Sequence, residues 1–140
     1  MTDNDAINTA TDYMKQHGWY IRHVAWEYDH RHLDIVCIDG DATTVVFVEV
    51  INNGHQIFTS QDDIMVTAGL YVRFHHIENI PVRFDHISIR TTHNNTTVIT
   101  HTERTRNIDP YIFYEQMRDR QRVQLITRNI HFQNKSFDFE

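Results

Sequence analysis

The sequence predicts an α/β fold (α+β by looser naming) in which helices pack on a β-sheet. Three observations predict it: apolar residues at helical spacing in two early stretches, short runs rich in β-branched residues, and turn chemistry that orders them as α-β-β-β-α-β-β. The first helix is read from Ala6, Ile7, Ala10, Tyr13, Met14 and His17, and Gly18 supplies the left-handed residue that ends it. Trp19 to Trp26, Leu33 to Ile38 and Thr43 to Ile51 follow as three strands of a meander, the last two separated by the strong turn signal Asp39-Gly40-Asp41. Ser60 with Asp63 makes a capping box, and Ile64, Met65, Ala68, Tyr71, Val72 and His75 mark one face of a helix over roughly 60 to 76. Pro81 opens a strand, Val82 to Arg90, which turns through Thr92 to Asn95 into a short strand, Thr97 to Thr100. Asp109-Pro110 pairs an N-cap with a first-turn proline and so starts a third helix carrying Tyr111, Ile112, Phe113, Tyr114 and Met117.

A chain of 140 residues is the size of one domain, here a core over 1–102 with an extension over 103–140. No run approaches the ~18–20 apolar residues of a membrane span, and the first thirty residues carry no signal-peptide pattern, so a cytoplasmic protein with no membrane contact is expected. Cys37 is the only cysteine, which excludes an internal disulfide and any multi-cysteine metal site. Flanked by Val36 and Ile38, it reads as a packing residue.

Charge is uneven. Residues 1–100 hold 6 basic and 13 acidic side chains, net −7, whereas 101–140 hold 7 and 6, net +1. The acidic body repels a polyanion, which counts against nucleic acid as a partner. Lys15 and Lys135 are the only lysines.

Three runs stand out after the first helix: Leu33-Asp34-Ile35-Val36, Val46-Phe47-Val48-Glu49-Val50 and Val82-Arg83-Phe84-Asp85. Together they resemble the YraN-like family of small bacterial proteins over about residues 6 to 100. The resemblance implies a restriction-endonuclease-like (PD-(D/E)xK) fold, a mixed sheet flanked by helices, and kinship with Holliday-junction-resolvase-like nucleases. The family pattern places an acid on the first helix, Glu-x-Asp on the second strand and Glu-x-Lys on the third. Asp34 and Glu49 match it, whereas Ile7, His32 and Ile51 stand where an acid, a glutamate and the lysine are expected.

The implied chemistry needs two carboxylates to hold Mg²⁺ or Mn²⁺ at a phosphate and a lysine to orient the attacking water. Losing one such donor lowers rate by ~10²–10³-fold, and Ile51 cannot substitute. A catalytically impaired nuclease-fold protein is therefore expected, with Asp34 and Glu49 as catalytic remnants and Asp34, Glu49 and His32 as ligands of a weakly held or absent divalent metal. The second helix carries no lysine, and Arg73 is its nearest-looking cationic candidate, fit to clamp a phosphate but a poor proton carrier. Asp34 and Glu49 are expected to face one another on neighbouring strands at one end of the first helix. His30, His32 and Asp34 share a strand face if the period of two holds, a set that favours softer ions over Mg²⁺. The plain alternative is a pair of buried acids held by hydrogen bonds or an arginine.

The arginines of the extension, Arg104, Arg106, Arg118, Arg120, Arg122 and Arg128, can meet nucleic-acid phosphates or pair with acids of the chain itself. Its aromatics are expected to dock on the body or on a second copy, which leaves a second functional class open: a non-enzymatic binding or assembly module, in one form a homodimer.

Overall fold

The computed structural model of the chain describes residues 1–57, 61–105, 115–116 and 119. It is a mixed α+β fold: a six-stranded sheet of both parallel and antiparallel pairs, with one helix on each face. Helix α1 (Asp3–Gln16) is started by a capping box in which the Thr2 side chain accepts from the Asp5 N–H and the Asp5 carboxylate accepts from the Thr2 N–H. It ends before Gly18, whose φ of 80° lets the chain reverse into the sheet.

Strands β1 (Tyr20–Tyr28), β2 (Arg31–Ile38) and β3 (Val45–Asn52) form the expected antiparallel meander. At the turn between β2 and β3, the Asp39 carboxylate accepts from the Thr43 and Thr44 N–H groups. A two-residue strand that the sequence pattern did not announce, β4 (His55–Gln56), folds back on the end of β3. Helix α2 (Gln61–Phe74) then crosses to β5 (Val82–Thr91), which lies parallel to β3, and β6 (Thr97–Glu103) closes the sheet in the order β1-β2-β3-β5-β6. Parallel neighbours need such a crossover, because a tight turn can join only antiparallel strands. Ser60 of the expected cap lies outside the described residues. So does the expected third helix, apart from Glu115, Gln116 and Asp119, which are helical and exposed.

Both sheet faces are buried. Ala6, Ile7, Ala10 and Met14 of α1 cover Ile35, Val46, Val48, Val50, Ile87 and Ile89. On the other face Ala68, Tyr71 and Val72 of α2 cover Leu33, Val36, Phe47 and Phe84. Burial on both sides explains why β2 and β3 read as nearly continuous apolar runs, in which a polar residue stands out.

Candidate functional site

Asp34 and Glu49 are the polar interruptions of those runs, and both are buried. The β2–β3 ladder pairs Ile38 with Val45 and ends at Ile35 with Val48, so the next step in register sets Asp34 opposite Glu49. At that step the backbones part. The Asp34 Oδ2 atom accepts from the Val50 N–H at 2.8 Å, taking the place of a β2 carbonyl, and Oδ1 lies 3.1 Å from His32 Nε2. The pleat breaks here as well: Leu33 joins the α2-side core although Ile35, two residues on, joins the α1-side core. Ala25, which the β1–β2 register sets opposite Asp34, has a φ of 51°. This local irregularity turns a strand aspartate toward its neighbour strand.

Glu49 shares the α2 face with Phe47, and the two acids, His32 and Ile64 from the first turn of α2 line one small pocket. The acids therefore meet as expected, but under α2 and not at α1. Helix α1 touches β3 on the other side, where the Asn52 amide donates to the Met1 carbonyl and to Asp3. Ile7 is buried in the α1-side core, and the side chains around it there are apolar. His30 is not on the strand at all: it sits exposed in the β1–β2 turn with a φ of 61°. Arg73 is nine residues along α2 from Ile64, ~13 Å at 1.5 Å per residue, so it does not serve this pocket. Cys37 points into the α1-side core, and burial, with Asp85 nearby, pushes its thiol far above the ordinary range.

Three residues that the sequence did not assign to the site complete the surroundings of Glu49. The β3–β5 register places His86 beside it, with Nε2 3.5 Å from Oε2. Arg104, just after β6, brings Nη1 to 3.9 Å of the same oxygen. Gln56 of β4 pairs with Ile51 and brings its carboxamide toward the carboxyl. Neither Glu49 oxygen completes a well-formed hydrogen bond among the described residues, and neither does His86 Nε2. Burial is the main cause that raises the Glu49 pKa, with Asp34 adding to it, while Arg104 and the Gln56 amide pull the other way. Burial and Arg104 together lower that of His86. His86 was recoverable from strand parity, because Phe84 and His86 alternate against Ile87 and Ile89, once β5 is known to neighbour β3. Arg104 has no local signal, being 55 positions from Glu49.

The donor set fits a divalent cation poorly. Asp34 already serves a backbone N–H and His32, Glu49 faces a guanidinium, and among the described residues no three His, Cys, Asp or Glu side chains converge closely enough to hold a metal ion.

On the α1 face a second buried acid is fully matched. Arg83 donates Nε and Nη2 to the two Asp85 oxygens at 2.8 and 2.9 Å, and His101 Nε2 lies 2.7 Å from Oδ2. The Arg83 guanidinium also lies over the Trp19 ring at 5.2 Å.

The mixed sheet with a helix on each face is consistent with an endonuclease-like fold. The chain matches the model of the uncharacterised protein family UPF0102, the YraN-like family, over residues 8–89, and it belongs to that family. It is 30% identical over 89 residues to a UPF0102 protein of Parabacteroides distasonis, covering 57% of this chain and 71% of that one. It is 31% identical over 91 residues to a UPF0102 protein of Bacteroides thetaiotaomicron, covering 59% and 73%. No described helix is long and apolar enough to cross a membrane.

Proposed function

We propose that this chain is a divergent nuclease-fold protein, related to Holliday-junction-resolvase-like nucleases, whose acidic site no longer supports efficient metal-dependent cleavage. The observation that carries this reading is the buried Asp34–Glu49 pair standing beside Ile51, the strand position from which a lysine would activate water. An apolar side chain supplies neither charge nor a proton path, and a guanidinium such as that of Arg104 is no base. With His32 in place of a third carboxylate and Asp34 already engaged, neither Mg²⁺ nor Mn²⁺ finds a full set of ligands in the pocket among the described residues. Branched, single-stranded and duplex DNA incubated with the protein and either ion should show no cleavage above background. Cleavage that Asp34→Asn abolishes would overturn the reading.

A second reading, a binding or assembly module on the same fold, is favoured by one surface. Trp26 stacks on Tyr28 at 6.1 Å, and Phe74 at the end of α2 meets both rings at 6.4 and 5.8 Å. Tyr28 is 47% and Phe74 61% exposed, a costly arrangement unless it meets a partner.

A further inference from the structure

We propose that Arg104 is the resident cation of the Asp34–Glu49 pocket, neutralising the acidic pair in the place a divalent ion would take and competing with one for it. The inference rests on the reading of Asp34 and Glu49 as a remnant carboxylate site, but its own observations are separate from that reading.

A carboxylate as buried as Glu49, whose side chain is 4% exposed, needs a counter-charge. The strand offers Ile51, and neither lysine of the chain lies on β3 or α2. His86 is close but titratable, and its Nε2 completes no hydrogen bond among the described residues. Arg104 is charged at any working pH and approaches the same Glu49 oxygen at 3.9 Å. Its position is fixed by the backbone: its own N–H donates to the Phe84 carbonyl at 2.9 Å, and the Phe84 N–H donates to the Thr105 hydroxyl at 2.9 Å. The side chain therefore leaves from a pinned stem on the edge of β5. Asp34, by contrast, spends its oxygens on the Val50 N–H and on His32, so the share of charge left to be answered sits on Glu49.

A guanidinium can cancel charge, but it cannot ligate a water or lower its pKa, so Arg104 replaces the electrostatic part of a metal's role and none of the Lewis-acid part. Arg104 lies beyond the span 8–89 matched by the family model.

Calorimetric titration with Mn²⁺ alone tests it, on the full-length protein and on Arg104→Gln, Arg104→Lys and the double variant Arg104→Gln/Glu49→Gln. Removing a unit charge a few ångströms from a divalent ion should tighten Mn²⁺ binding by about tenfold in Arg104→Gln. Arg104→Lys should stay close to wild type, and the double variant should lose the gain. Equal Mn²⁺ binding in wild type and Arg104→Gln, or a gain that survives Glu49→Gln, overturns the proposal. A measurement on the unmutated arginine guards against misfolding. The guanidinium ¹⁵N shifts of Arg104 should differ between wild type and Glu49→Gln, and identical shifts in the two proteins would count against the pairing. The cleavage assay judges the impaired-nuclease reading independently, since a wild-type protein that cuts DNA would sink that reading and leave the affinity comparison to decide on Arg104.

Discussion

Two buried acids, Asp85 and Glu49, show how differently a carboxylate can be held. Asp85 has a bidentate arginine, a histidine and full burial, so its charge is answered inside the fold. Removing it leaves Arg83, whose side chain is 12% exposed, with the more distant Glu103 at 3.8 Å, and breaking a buried pair costs about 3–5 kcal/mol. Glu49 is equally hidden, yet its oxygens complete no hydrogen bond among the described residues, and burial raises its pKa. For a carboxyl whose folded pKa lies above its unfolded value, the folded state binds more protons in the window between the two, so stability falls as pH rises through it. Glu49 thus works against folding at neutral pH, and Glu49→Gln should unfold at a denaturant concentration no lower than wild type at pH 7. The advantage should close as pH falls toward 4.5, the group's ordinary value, where the glutamate too is protonated. Urea titrations of Asp85→Ala and Glu49→Gln at pH 7 and pH 4.5 measure both effects. A Glu49→Gln protein clearly weaker than wild type at pH 7 would mark the residue as structural. A site that costs stability is what retained function, or its remnant, looks like.

At the scale of elements, helix α2 is tied to the sheet through Tyr71. Its ring is fully buried, stacks on His75 at 4.0 Å and meets Trp26 and Phe47 edge-on, while its hydroxyl lies 2.6 Å from His23 Nδ1. A neutral His23 can accept there, and burial, His75 and Arg22 all favour that form by lowering its pKa from 6.5. A lowered histidine pKa means stability present above the unfolded value and lost as pH falls below it. Tyr71→Phe should therefore cost about 1 kcal/mol at pH 8, and its deficit relative to wild type should shrink at pH 5.5, where the bond to His23 is weakened in any case. A deficit equal at both pH values would show the hydroxyl to be unlinked to His23. The face of α2 that makes these contacts was readable from the 3.6-residue spacing of Ile64, Met65, Ala68, Tyr71, Val72 and His75, because one helix face meets one core. Strand positions were legible for the same kind of reason. Strand faces were less so: the break between Leu33 and Ile35 and the left-handed Ala25 carry no local signal, so strict alternation put His30 on a strand and α1 over the acids. The acidic pair itself was legible because an ionised carboxylate is costly inside a doubly buried strand, so Asp34 and Glu49 stand out against the apolar residues on either side of them. His86 and Arg104 were not, since they depend on which strands become neighbours.

At the scale of the whole molecule, charge and apolar surface divide the chain. Residues 1–100 carry net −7, yet the β1–β2 hairpin and the helix α2 that expose Tyr28 and Phe74 also carry Arg22, Arg31 and Arg73. Like-charged bodies repel, so an aromatic face on elements that carry these arginines is where a second copy or a segment of the same chain can approach at least electrostatic cost. The continuation past Thr105 holds Tyr111, Phe113, Tyr114, Phe132, Phe137 and Phe139, and 101–140 are net +1. A segment left in solvent seldom carries so many aromatics, and ordering one costs ~1–2 kcal/mol per residue that only burial of apolar area can offset. The sheet's own contacts run through Thr105, whose N–H and hydroxyl both bond Phe84, so a chain ending there keeps β6 and Arg104 intact. That truncated chain should melt several degrees lower than the full one, or pass from dimer to monomer by light scattering. Phe74→Ser in the full chain should reproduce the change of mass if the aromatic face is the contact. Equal melting temperature and unchanged mass in the truncated chain would show the extension to be dispensable to the fold and to assembly.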